Sequence, residues 1–167
     1  MSGGDHKVVF EAVIGEIVDL SLAHYGDRLV SLVLFGSIGR GSHGPESDID
    51  LLVIADPLPR GRLLRVSEFT AAVEDGLTSL ERARNQGVHT RVSPIFKTRS
   101  EAAAGSPLFL DMTEDARMLL DRDGFFEKRL DLLRARLKEL GSRRIWKGGS
   151  WYWILKPDLQ PGEVFDL

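Results

Sequence analysis

The chain contains no cysteine, which excludes disulfide scaffolds, zinc–thiolate clusters and thiol nucleophiles together. It also lacks long apolar runs. Stretches such as residues 29–35 and 49–55 fall far below the roughly 20 residues that a membrane-spanning helix requires. No sign of charge dominates: 22 Lys and Arg face 25 Asp and Glu, for a net charge of −3 and a pI near 5.8. A chain so balanced has no basic surplus with which to coat a nucleic acid, so net charge does not support such a partner and any contact of that kind is local. Residues 1–7 show no apolar segment behind a basic flank, unlike a signal peptide. The expectation is a soluble, cytoplasmic protein with no membrane association.

What is present is average for a globular chain. At 167 residues, with 43% hydrophobic and 28% charged side chains, one domain with a single sizeable core fits, whereas disorder, collagen-like repeats and coiled coils do not. Residues 8–25 read as a helix, with Val9, Val13, Ile17 and Leu20 on one side and Gly26 at its C-terminal stop. Residues 28–35 form a short β-branched run suited to a strand buried on both faces. After a glycine-rich stretch, residues 48–55 read as a second strand. One long helix is predicted over 63–85. A third strand over 88–97 carries Pro94, which argues for an edge or a bulge. A short helix or loop at 106–112, a fourth strand at 117–121 and an amphipathic helix over 125–140 follow. The tail, 143–156, reads as a hairpin turning at Gly148 and Gly149. The fold class is α+β.

The chemistry concentrates in Leu34-Phe35-Gly36-Ser37-Ile38-Gly39-Arg40-Gly41-Ser42 and in Ser47-Asp48-Ile49-Asp50-Leu51-Leu52. A buried strand ends in Gly36, where the absence of a Cβ lets the backbone turn sharply and approach a ligand closely. Ser37 opens a helical turn whose free N–H groups suit phosphate, and Arg40, one turn on, adds a forked cationic donor. Asp48 and Asp50 lie two residues apart at the start of a strand, so both carboxylates point to one face while Ile49 enters the core. Paired carboxylates repel unless a cation lies between them. Mg²⁺ (or Mn²⁺) with one or two carboxylates and the phosphates of a nucleoside triphosphate satisfies that need.

G-S-x-x-R-G followed by S-D-I-D-L resembles the signature of the polymerase-beta-like nucleotidyltransferase superfamily, and within it the minimal stand-alone bacterial and archaeal members, some of which act as antitoxins beside a helical toxin. The resemblance is strong over residues 34–54 and extends through the order of elements to about Lys97. It implies a nucleotidyltransferase-like mixed β-sheet with helices mainly on one face, a core over residues 8–99, and a C-terminal extension over 100–167 that adds a helix and a hairpin-like tail to the same domain. It assigns the β- and γ-phosphates to Gly36 and Ser37 and the metal ions to Asp48 and Asp50, which then act as the catalytic residues. The implied reaction moves a nucleoside monophosphate from a triphosphate to an acceptor hydroxyl, with metal bridging as the main source of catalysis.

Active members of that family place a third carboxylate on a later strand. Here Thr90-Arg91-Val92-Ser93-Pro94-Ile95 offers Ser93 or Arg91 at that place, and no Asp or Glu occurs between Glu81 and Glu101. Two readings follow: an enzyme that recruits Glu68, Glu101 or Asp111 through folding, or a catalytically impaired nucleotide-binding module that works through a toxin-like or other partner protein. His43 and His89 read as solvated loop residues. All three tryptophans and several cations crowd into the tail as Arg143, Arg144, Trp146, Lys147, Trp151, Trp153 and Lys156. Because Trp151 and Trp153 share a face, a hairpin covering the core is preferred over a base-stacking surface.

Overall fold

The computed structural model describes residues 5–167; residues 1–4 of the polar N-terminus, read above as unlike a leader, lie outside that range. Helix α1 (Asp5–Tyr25) leads through a tight turn into strand β1 (Leu29–Leu34), the one-turn helix α2 (Gly36–Gly39) and strand β2 (Ile49–Ala55). Helices α3 (Arg62–Ala72) and α4 (Thr78–Asn85) precede strand β3 (Val92–Lys97). Then come α5 (Arg99–Ala103), α6 (Leu108–Asp115), strand β4 (Arg117–Asp121), α7 (Phe125–Glu139) and the hairpin strands β5 (Arg143–Lys147) and β6 (Ser150–Ile154). The main sheet runs β3-β2-β1-β4, with β1 antiparallel to β2 and β4, and β2 parallel to β3. Pro94 therefore lies on an edge strand, where its missing N–H costs the ladder least. The fold is mixed α+β, as expected.

The helices cover both faces of this sheet, not mainly one. Leu29, Leu32, Leu34, Ile49, Leu51 and Val53 pack with α1, α3 and α4 through Phe10, Ile17, Phe69 and Ala83. Val30, Val33, Leu52 and Ile54 point the other way and pack with α5, α6 and α7 through Ala102, Phe109, Met112, Phe126 and Leu130. The reason lies in the central strands. Every residue of β1 is buried, and a strand apolar on both sides needs a layer on each.

The pattern over 63–85 predicts one helix, but the chain breaks after Ala72 and restarts at Thr78. Val73 and Leu77 are buried through the break, so the hydrophobic period continues while the backbone does not. The restart is set from outside. The Glu16 carboxylate of α1 accepts from the N–H groups of Thr78 (3.2 Å) and Ser79 (2.8 Å) and from both hydroxyls, capping α4 from 62 residues away. Helix α5 was absent from the sequence expectation, although Thr98 and Glu101 form a capping box whose spacing was readable. In the C-terminal half, Asp121 accepts from Ser31 Oγ (2.6 Å) and from the N–H groups of Phe126 (2.9 Å) and Glu127 (3.0 Å), so one carboxylate joins β1, β4 and the start of α7.

Burial opposes the charge on Glu16, but the bonds from Ser79 and Thr78 prevail and hold its carboxyl at about 2 rather than 4.5. A depressed carboxyl stabilises the fold above its ordinary value and loses that contribution as pH falls through the folded one. Glu16→Ala is expected to lower stability by about 1–2 kcal/mol at pH 7. The gap should narrow between pH 4.5 and about 2; urea denaturation across that range checks it.

Candidate functional site

Leu34 delivers the chain to Phe35, still extended, and then to Gly36 at φ +66°. The next turn closes on itself: Arg40 N–H donates to Gly36 O at 3.2 Å and Ser42 N–H to Ser37 O at 2.9 Å, with Ile38 buried as the anchor. The Phe35 N–H donates to the Asp50 carbonyl at 3.1 Å, tying the turn to β2. A Cβ on Gly36 would stand 2.1 Å from Asp50 Oδ2. The Asp50 carboxylate thus lies directly on the Gly36 backbone, and only glycine combines that contact with that φ. A Cβ on Gly39 would meet the Asp115 carbonyl at 2.1 Å, so this turn also packs tightly against the end of α6.

Ile49 is fully buried on the α1 side, and Asp48 and Asp50 project to the opposite side, as their spacing predicts. Burial raises the Asp50 carboxyl above its ordinary value, the neighbouring Asp48 charge raises it further, and Arg40 partly opposes both. Asp48 meets the guanidinium of Arg91 at 3.6 Å, although the Arg91 side chain is 83% exposed. Gly36, Ser37, Arg40, Asp48 and Asp50 come together at one end of the sheet, where β1 finishes and β2 begins.

Both residues expected at the place of a third acid, Ser93 and Arg91, lie beside the pair. Asp50 pairs with Ser93 across the parallel β2–β3 ladder, so Ser93 is the neighbour of Asp50 and Arg91 is the neighbour of Asp48. None of the three acids considered for recruitment reaches the pair. Glu68 accepts from Arg28 and from the His24 ring, each at 2.9 Å. Glu101 receives a bidentate contact from Arg65 at 2.7 and 2.9 Å, and that contact leads the effects holding its carboxyl at about 2. Asp111 accepts the indole N–H groups of Trp151 (2.7 Å) and Trp153 (2.9 Å). Among the described residues no three His, Asp or Glu side chains form a metal-binding group.

His43 departs from the expectation of a solvated loop residue. Its ring packs edge-on against Phe10 at 4.8 Å, and both ring nitrogens are buried without a partner among the described residues; desolvation lowers its pKa. His89 is exposed, as expected. Three residues beside the site escaped the sequence pattern. Asp115 lies 3.7 Å from Arg40, Trp151 places its ring 4.5 Å from the Arg40 guanidinium carbon, and Arg144 binds Asp115 at 2.5 Å. The crowding of aromatics and cations in the tail was the available signal; alternation put Trp151 and Trp153 on one face, but nothing local placed that face against Arg40.

Residues 18–117 match the nucleotidyltransferase domain family. The chain belongs to that family. This nucleotidyltransferase-domain protein is 30% identical over 141 residues, 83% of its own length and 90% of the other, to a Methanocaldococcus jannaschii protein named as a candidate protein adenylyltransferase, MJ1305. A second protein of that organism, MJ0604, named in the same way, is 41% identical over 46 residues, 28% of this chain and 46% of that one. Among solved structures, a toxin–antitoxin complex with AMP-PNP is 18% identical over 76% of this chain and 91% of the other, with a TM-score of 0.48. A candidate nucleotidyltransferase of Sulfolobus solfataricus is 20% identical over 69% of this chain and 88% of that one, with a TM-score of 0.39.

The raised Asp50 carboxyl has a consequence for stability. A carboxyl that titrates higher in the folded state binds its proton more tightly there, so the fold weakens as pH rises from the ordinary value of 3.8 through the folded one. Asp50→Asn is expected to raise the urea midpoint at pH 7 in metal-free buffer. That gain should vanish below pH 3.8, where both forms are neutral.

Proposed function

We propose that this protein is a metal-dependent nucleotidyltransferase that moves AMP from ATP to a hydroxyl of a protein acceptor. One observation carries the reading: the Asp50 carboxylate rests on the Gly36 backbone at φ +66°, which joins the phosphate turn and the carboxylate pair into a single site. The acceptor class and the adenine nucleotide are supported by likeness to the two M. jannaschii proteins.

The residues present fit a divalent cation. Asp48 and Asp50 offer two hard oxygen donors on one face; burial first and the Asp48 charge second raise the Asp50 carboxyl, and a cation relieves both penalties. Mg²⁺ or Mn²⁺ held by this pair would neutralise phosphate charge and orient the α-phosphate. The chain's own groups do the rest. Gly36 lets the backbone approach the β- and γ-phosphates, Ser37 adds a hydroxyl donor, and Arg40 brings a cation to the phosphate oxygens. The acceptor proton is the weak point. Ser93, beside Asp50, can orient a hydroxyl but cannot take its proton as a carboxylate does.

That gap favours a second reading, a nucleotide-binding module that acts through a partner protein in the manner of an antitoxin. It is supported by the commitment of Glu68, Glu101 and Asp111 to other partners. Both readings place the protein in the cytoplasm.

Label transfer from α-labelled ATP to protein acceptors, at matched Mg²⁺, separates them. Transfer by the parent chain establishes the enzyme, and its loss in Asp48→Asn/Asp50→Asn assigns the site. If the missing acid limits the chemistry, Ser93→Asp is expected to raise transfer by about tenfold or more while changing ATP affinity little. No transfer by either protein, with Mg²⁺-dependent ATP binding intact, supports the module. Equal ATP affinity in the parent and in the Asp48→Asn/Asp50→Asn variant rejects both.

A further inference from the structure

The C-terminal hairpin is docked by two acids one helical turn apart. Asp111 and Asp115 share a face of α6. Asp111 receives both indole N–H groups, from Trp151 at 2.7 Å and Trp153 at 2.9 Å. Asp115, which is buried, receives Arg144 at 2.5 Å. The register explains why these side chains converge: Arg144 pairs with Trp153 and Trp146 with Trp151, which places all four on one side of the hairpin.

This arrangement reaches the phosphate turn. The Arg40 guanidinium is stacked on the Trp151 ring at 4.5 Å and lies 3.7 Å from Asp115. Arg144 makes the shorter contact with the same carboxylate and also flanks the Trp151 ring at 5.4 Å. One buried carboxylate is therefore shared by two guanidiniums, with Arg144 as the closer partner. Arg40 is thus held between the Trp151 ring and a carboxylate whose shorter contact goes to Arg144. Trp151 itself is fixed at its indole N–H by Asp111 and by the tilted Trp146 ring at 4.9 Å.

We propose that Trp151 is a positioning residue for Arg40, so that the C-terminal hairpin completes the triphosphate site from 111 residues away in sequence. The long arginine side chain has several rotatable bonds and loses rotamer freedom when it grips a phosphate. A ring that already holds the guanidinium against its face removes much of that loss before the nucleotide arrives. This role rests on the nucleotide reading above.

The test is a double-mutant cycle on Mg²⁺–ATP affinity, measured by calorimetry on the full chain. Trp151→Leu is expected to weaken binding by about 5- to 20-fold in the parent background and by less than about twofold in Arg40→Ala. Trp151→Tyr keeps an aromatic face while losing the bond to Asp111, and should retain most of the affinity. Trp153→Phe loses the equivalent bond to Asp111 without touching Arg40, and should bind as the parent does. The role is overturned if Trp151→Leu binds as tightly as the parent, if its loss multiplies fully with that of Arg40→Ala, if Trp151→Tyr loses as much as Trp151→Leu, or if Trp153→Phe loses as much as Trp151→Leu. Should the parent bind no Mg²⁺–ATP in an Asp50-dependent way, the nucleotide reading fails and this role with it; Asp50-dependent binding that ignores Trp151 overturns this role alone.

Discussion

The contact between the Asp50 carboxylate and the Gly36 backbone is the constraint around which the rest of the molecule is arranged. It exists because β1 and β2 are antiparallel neighbours, so the end of one strand lies beside the beginning of the other. It survives because Gly36 carries no Cβ and accepts φ +66°. Its consequences run outward. The two strands that hold it are apolar on both sides and must be covered twice, by α1, α3 and α4 on one side and α5, α6 and α7 on the other. The second layer brings the end of α6 against Gly39, and with α6 comes the hairpin that its acids hold.

Charge is distributed unevenly across this framework. Most acids near the core have fixed partners: Glu16 caps a helix, Glu68 holds Arg28, Glu101 holds Arg65, and Asp121 joins two strands to a helix. Asp48 and Asp50 are the exception. They face each other's charge, and among the described residues an exposed Arg91 and a shared Arg40 are the cations that act on them. Groups whose ionised form is penalised in the folded chain persist where a ligand relieves the penalty, and a phosphate-bound cation is the ligand this pair suits. Ser93, opposite Asp50 in the ladder, adds no carboxylate to the pair.

Sequence alone determined the local features whose causes are local. The strands that feed the site, the glycine turn, the direction of Asp48 and Asp50 and the amphipathic α7 all follow from periodicity and backbone sterics over a few residues. Those same few residues carried the family resemblance. The tertiary structure decided whatever depends on groups far apart in the chain. It broke the helix over 63–85, because the cap for its second half is Glu16 on another helix. It put helices on both faces, because a wholly buried β1 records that it is covered but not by what. It set Ser93 beside Asp50 and Arg91 beside Asp48 through the β2–β3 register, which no single strand contains. It committed Glu68, Glu101 and Asp111 to partners 36–44 positions away, and it set Trp151 against Arg40, since packing and charge pairing are settled by the whole chain at once.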